Sequence, residues 1–323
     1  MRRRRVLAAA LAAPLALPVR RAAAAERLIG WISPESQETT APFFNAFKAG
    51  LQANLPRGAE SVRIIERYVT GGVDSMAAQA GELQQLGVHL IVAQGAASVA
   101  LVKAKPLVPV VFGYSGDPVV AGIANSLARP GGNATGMSFM SVELNPKRID
   151  FLRTALPDCR RVALLSNARH AGEEMEIAAC RGAVERFGIE LVVHRVRGAA
   201  EIRTSVAQAL DGGAEALLML PSSLMVQHSS AVAAQGLARK VPLVSGWATI
   251  ARAGALLTYG PNLQEAYNRV ALYVVRILGG AAAGGLPIEQ PTVFELVVNK
   301  KIATVLGLTL PPSLLAQADE VIE

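Results

Sequence analysis

A chain of 323 residues that is 51% hydrophobic and 18% charged is too long for one small module and too apolar for a disordered polymer, so two globular domains are expected. The formal charge of +7 invites a nucleic-acid partner, but six of the 32 basic residues are arginines within residues 1–25, which leaves 26 bases against 25 acids from Glu26 onward. With a charge of only +1 there and no sustained basic stripe, that part has little to offer a phosphate backbone, and nucleic acid is excluded as a partner.

Arg2 to Arg5 precede Val6–Leu17, an uncharged run of mostly Ala and Leu, and Ala22 to Ala25 lead up to Glu26. Charged, then apolar, then small is the order of a secretory signal peptide, so residues 1–25 read as a signal peptide and the rest as an exported, periplasmic protein. A basic tail with an Ala-rich helix is the alternative, because Arg20-Arg21 interrupts the approach to the cleavage site. Arg4-Arg5-Val6-Leu7 leaves a twin-arginine export route open as well. The apolar run falls short of the ~20 residues that span a bilayer, and no later stretch reaches that length uninterrupted. Cys159 and Cys180 lie far from the leader, where neither could carry a lipid anchor, and two buried free thiols are expected rather than a disulfide. His89, His170, His194 and His228 show no HExxH spacing and the cysteines no CxxC, so no metal site is expected; without GxGxxG or GxxxxGK[ST], no nucleotide cofactor is expected either.

From Leu28 the chain alternates short apolar runs with amphipathic stretches, the pattern of a parallel sheet covered on both faces. Strands are predicted at 28–33, 62–68, 90–94 and 108–114. A helix over 40–55 carries Phe43, Phe47 and Leu51 on one face, a second is capped by Asp74, and further helices start at Ser98 and Asp117. The cluster Arg129-Pro130-Gly131-Gly132-Asn133 then breaks the chain. A second round follows: a helix over 146–156, strands at 161–166, 190–196, 216–220 and 242–245, helices near 172–187, 199–210 and 223–239, and a short apolar run at 255–259. The tail adds a helix at 263–278, a turn at 279–285, an extended stretch at 288–298 and a helix at 299–306. The fold class is therefore α/β, two similar doubly wound lobes joined by a hinge of several crossings. Lobe 1 takes residues 26–140 and 259–287, lobe 2 takes 141–258 and 288–323.

In such sheets ligands bind beyond the carboxyl ends of the strands. The loops there supply Ser33 and Ser36, Gln94, Gly95 and Ser98, Tyr114 and Asp117, Asn167, Ser222, and Trp247. Ser98 and the helix it begins could receive a carboxylate, Asp117 an ammonium group, and Tyr114 with Trp247 could close over an apolar or aromatic side chain. Capping is the competing role for Ser98 and Asp117, and filling the lobe interface that for Trp247. Gly113-Tyr114-Ser115-Gly116-Asp117 approaches the GxSxG elbow but ends in Asp. His170 is the one candidate base, with a solvent-facing loop position as its alternative, and no catalytic residue is assigned.

Gly116-Asp117-Pro118-Val119, Ser126 to Gly136 (SLARPGGNATG), Tyr259-Gly260-Pro261-Asn262-Leu263, Glu289-Gln290-Pro291-Thr292, Phe294 to Asn299 and the closing stretch Ala303 to Glu323 resemble a family of bacterial ABC-transporter substrate-binding proteins, the one that includes TrpX-like aromatic amino acid binders. The resemblance covers residues 28–323. It implies a type I periplasmic-binding-protein fold with three crossings, no enzymatic activity, and closure of the lobes on a small solute delivered to the transmembrane subunits of an ABC permease. A monomer is expected. Where family members often carry Asn-Pro, this chain has Ser166-Asn167-Ala168-Arg169-His170, and Arg169 with His170 could favour a more acidic solute. The ligand expected is an amino acid or related carboxylate, with an aromatic one among the candidates; a secreted two-lobed enzyme acting on a small polar substrate is the alternative.

Overall fold

Strands buried on both faces read as unbroken apolar runs, and Leu90–Gln94 and Val110–Tyr114, every residue of which is buried, form the middle of a parallel sheet. The computed structural model describes residues 26–56, 61–69 and 72–323; the predicted signal peptide lies outside them. The first lobe runs β1 (Arg27–Ser33), α1 (Gln37–Asn54), β2 (Val62–Tyr68), α2 (Val73–Gln85), β3 (Leu90–Gln94), α3 (Ala96–Ala104), β4 (Val110–Tyr114) and β5 (Ala134–Ser138). Its five strands are parallel in the order β2-β1-β3-β4-β5.

The second lobe begins with α4 (Ser141–Ala155), β6 (Arg161–Asn167), α5 (Glu173–Glu185), β7 (Glu190–Val196), α6 (Ala199–Asp211) and β8 (Ala216–Met219). It continues through α7 (Ser223–Gln227), α8 (Ser229–Ala238), β9 (Leu243–Ser245), α9 (Ala248–Arg252) and β10 (Leu257–Pro261). The chain then recrosses with α10 (Leu263–Leu278), whose buried Leu263, Ala266, Tyr267, Val270, Ala271, Val274 and Ile277 repeat at helical spacing and face α1. Gly50 permits that approach, since a Cβ there would stand 2.9 Å from the Cβ of Ala271. The last segment returns to the second lobe as β11 (Phe294–Asn299), antiparallel to β10, then α11 (Lys300–Leu306), α12 (Pro312–Gln317) and β12 (Glu320–Ile322). The larger sheet has the order β12-β11-β10-β9-β8-β6-β7.

Five expectations meet a different structure. The segment after Asp117 is a run of turns, not a helix; the Asp117 carboxylate accepts from Val119 and Val120 N–H at 2.7 and 3.2 Å. The turn cluster leads into β5, a strand the Gly-containing sequence ATGMS conceals, in which Gly136 lies so close to the Phe112 backbone that a Cβ would overlap it. Helix α4 begins at Ser141 with Pro146 inside it, and the helix expected over 223–239 breaks at His228. The crossings fall elsewhere too. Pro261 still pairs with Phe294 in the larger sheet, so the second crossing follows 261 rather than preceding 259. Glu289 still bridges Met137 of β5, so the third follows 289 rather than 287. No described helix is long and apolar enough to cross a membrane.

Candidate functional site

The carboxyl ends of both sheets face one another. In the first lobe Ser33 lies opposite Tyr68, Gln94 opposite Gly113, and Gly113 opposite Met137, a row along the rim of the sheet. The second lobe reaches this rim with the loops after β6, β8 and β9. At one edge Ser223, the first residue of α7, lies against Gly95, where a Cβ would overlap its Oγ, and its hydroxyl favours the ionised form of the Glu35 carboxyl. At the other edge the Tyr114 hydroxyl donates to Ala171 O at 3.2 Å, and Ser115 Oγ lies 2.8 Å from His170 Nε2.

Between these edges lies a chamber-like cluster of buried polar and aromatic side chains. Glu35 is 1% exposed, Gln94 5% and Trp247 6%. Glu35 Oε2, Gln94 Oε1, the Tyr267 hydroxyl and Trp247 Nε1 are buried with no hydrogen-bond partner in the protein. Their neighbours link them into one locality. Glu35 acts electrostatically on Tyr267, whose hydroxyl would stand 3.0 Å from a Cβ at Gly113, the sheet neighbour of Gln94. The Phe139 ring centroid is 6.0 Å from that of Tyr267 and 6.3 Å from that of Trp247, edge to face in both cases. Phe43 stacks on Tyr267 at 5.6 Å, and Trp31 lies 5.8 Å from it. Unsatisfied buried polar groups are costly, so a solute that met these four atoms would recover what the fold leaves unpaired.

The charges there are shaped by burial. Loss of solvent pushes the Glu35 carboxyl up to about 8, opposed by the Ser223 hydrogen bond, and burial likewise raises Tyr267. Below the loops of the second lobe, Arg148 is fully buried; its Nε donates to Tyr259 O at 2.8 Å and its Nη1 to Asn145 Oδ1 at 2.6 Å. Burial lowers its pKa to about 10, which leaves it charged at neutral pH. A Cβ at Gly246 would stand 2.6 Å from its Nη2, so the glycine before Trp247 makes room for the guanidinium.

The second edge has the residue types of a catalytic triad, with Ser115 on His170 and His170 Nδ1 3.6 Å from Glu176 Oε1. Its protonation does not suit one. Burial drives His170 down to about 4 and Glu176 up to about 8, so the last contact joins uncharged groups and is too long for a hydrogen bond. A Cβ at Gly116 would stand 2.6 Å from Ala171 O and 2.9 Å from His170 Cε1, and Ser115 is buried. With that space filled, the cluster fastens one lobe to the other.

The family model for "ABC transporter substrate binding protein" matches residues 44–322. The chain belongs to that family. Among relatives of this substrate-binding protein is a "Tyrosine-binding protein" of Clostridioides difficile, 21% identical over 194 residues, which span 60% of this chain and 55% of that one. A structure from Streptococcus pneumonia, described as an ABC domain in complex with L-Trp, superposes with a TM-score of 0.85 at 21% identity, covering 92% of this chain and all of that one. A leucine binding protein of Thermotoga maritima gives 0.59 at 12% identity, covering 80% and 84%. The fold is that of type I periplasmic binding proteins.

Several residues expected in the cleft of this substrate-binding protein make contacts within its loops. Ser33 Oγ pairs with Thr40 Oγ1 and accepts from Glu35 N–H, both at 3.0 Å, which sets the turn that buries Glu35. Ser36 is exposed and caps α1. Ser98 lies two residues inside α3, its hydroxyl on Ala93 O at 3.3 Å, and Gly95 holds the cap position. Asn167 accepts from Arg169 N–H at 3.0 Å and shapes the loop that carries His170 across. Ser222 caps α7. Tyr114 joins the fastening, and Asp117 lines a groove with Met140, Glu143 and Met175. Gln94, Gly95 and Trp247 meet at the chamber. The strand-end rule does not reach Tyr267 and Phe43, which come from helices, or Phe139 from a crossing. Glu35 lay within a loop it did select. Among the described residues no group of His, Cys, Asp and Glu could hold a metal ion, and both cysteines are free and buried.

Proposed function

We propose that the protein is the exported solute-binding component of an ABC importer. It captures an amino acid or related carboxylate with an aromatic side chain between its lobes, closes by bending at the three crossings, and presents the solute to the permease as a monomer. The observation that carries this reading is the chamber itself: four buried polar atoms without partners, two of them on Tyr267 and Trp247, whose rings pack against Phe43 and Phe139. A few placed polar groups in an apolar, hinge-closed cleft are what solute capture needs. The "Tyrosine-binding protein" relative and the L-Trp complex of the Streptococcus homologue support the choice of solute class.

The test is a thermal-shift screen of protein purified from the cell envelope against the amino acids and small aromatic carboxylates. A ligand at about a hundred times its dissociation constant adds about 2.7 kcal/mol, and one solute should raise the melting temperature by a few degrees without being consumed. Its N-terminal sequence should begin near Glu26. Turnover of a solute that disappears in Ser115→Ala would establish the enzyme reading instead, which the Ser115–His170 contact favours by residue type. A chain starting at Met1 in the cytoplasm would remove the export reading.

A further inference from the structure

Glu35 differs from the other chamber groups in charge. Its carboxyl lies between the lobes, fixed from behind by the Ser33 hydroxyl on its own N–H and from the second lobe by Ser223. Oε2 is left without a partner. Tyr267 of α10 is the titratable group that shares its field; Ser33, Thr40 and Ser223 around it are uncharged. Among the described residues, no cation contributes to its electrostatics. A buried carboxylate without a counter-charge is unstable in its ionised form and takes a proton unless a cation is brought to it.

Three of the unpartnered atoms share a character, whereas Trp247 Nε1 and the nearby Trp31 Nε1 only donate. Glu35 Oε2 and Gln94 Oε1 are acceptors, and the Tyr267 oxygen can accept. An ammonium group offers three donors and no acceptor. A carboxylate placed there would face a like charge, and a hydroxyl would supply one donor. Asp117, the acid the sequence suggests for this task, has Oδ1 committed to two turn amides and lines a different groove.

We propose that Glu35 is the specificity-determining residue of the cleft, and that it selects solutes carrying a protonated primary amine over the same skeleton without one. This rests on the reading of the cleft as an amino-acid site. A consequence follows for protons. When an ammonium group enters, closure leaves Glu35 ionised and exchanges no proton. When an amine-free solute enters, closure buries an unpaired carboxyl whose pKa is pushed up to about 8, so one proton must be taken up at neutral pH.

The experiment is titration calorimetry on the mature protein with two matched series: L-tyrosine, tyramine and 3-(4-hydroxyphenyl)propionate, and L-leucine, isopentylamine and 4-methylpentanoate. Each solute is measured against wild type and Glu35→Gln in buffers of differing ionisation enthalpy. Within the series that binds, the amine-bearing members should bind wild type at least about 100-fold more tightly than the amine-free acid, with that margin lost in Glu35→Gln. The wild-type proton count should be near zero for the amines and approach one for the acid, a readout that stands even if the variant folds poorly. An acid that binds as tightly as its amino acid, or a Glu35→Gln protein that keeps the preference, overturns the role of Glu35 and leaves the binding-protein reading in place. Silence of all six compounds, together with no amino acid raising the melting temperature in the screen above, overturns the amino-acid reading of the cleft, and this inference with it.

Discussion

Gly95 lies against Ser223 of the second lobe, at φ 54° and ψ −126°, a backbone conformation that side chains other than hydrogen rarely adopt. A methyl group there would overlap Ser223 Oγ across the cleft, so Gly95→Ala should hold the lobes apart. The expected outcome is a loss of solute affinity of about 30-fold or more with a stability cost of only about 1–2 kcal/mol. Gly122→Ala is the comparison, since its φ of 71° is also one that side chains rarely adopt but nothing lies within 4 Å; it should cost stability and leave affinity alone. Equal affinities for both variants would remove Gly95 from the closure contact. The sequence pointed to Gly95, as to Gln94 and Trp247, because each lies at or just beyond the end of a buried strand, and the proposed cleft uses all three. Glu35 was passed over for Ser33 and Ser36 because nothing in the order Ser-Pro-Glu-Ser says which side chain the turn directs inward. That is decided by the Ser33 hydroxyl, which accepts from the Glu35 amide.

The fastening joins the loop after β4 to the loop between β6 and α5, and its effect should depend on pH. The closed contact buries His170 against Ser115 and Tyr114 and lowers its pKa from 6.5 to about 4. The neutral form is thus favoured when the lobes meet, so the contribution of His170 is fully present above about pH 6.5 and declines as pH falls toward 4. Glu176, raised from 4.5 to about 8 chiefly by burial, has the opposite sign: its contribution is present below 4.5 and is lost as pH rises through 8. Between about pH 4.5 and 6.5 the two contributions oppose each other, so wild-type solute affinity should show a shallow acid limb, and His170→Gln, which removes the weakening contribution, should tilt that limb toward tighter binding at low pH while lowering affinity at neutral pH by about tenfold. An unchanged acid limb in His170→Gln would place the titration elsewhere. The sequence showed His170 as a lone loop histidine and Ser115 inside a broken GxSxG, 55 residues apart. Their meeting was not legible, because it depends on how two separately folded lobes face each other. Elements fared better where periodicity was long: α10 spans 263–278 as its pattern predicts. They fared worse where a glycine or proline masked the pattern, as Gly136 does in β5 and Pro146 in α4.

The double round of strand and helix was enough to read two lobes from the sequence, since each round needs its own sheet and its own cover. The unequal sheets were not, because the larger one gains an antiparallel β11 and a three-residue β12 from the tail, strands too short or too isolated to announce their partners. The same tail ties the crossings between the lobes together, where the proposed bending would occur. The crossing at 138–141 is bonded to the one at 289–294 through Ser138 N–H on Glu289 O, and Asn262 N–H at the remaining crossing reaches Val293 O, both at 3.0 Å. Arg269 of α10 holds Glu289 in an ion pair. If the lobes bend at these tied crossings as proposed, solute binding should be felt at the facing loops and not inside the sheets. Hydrogen exchange with and without the bound solute measures this directly. Added protection is expected at 33–36, 94–98, 114–117, 166–172, 221–225 and 246–248, with the strand interiors at 29–31 and 217–219 unchanged, because those amides already open only with their lobe. Protection confined to one lobe would mean that the solute binds without closure, and the bending motion would then have to be abandoned even though the cleft still held its ligand.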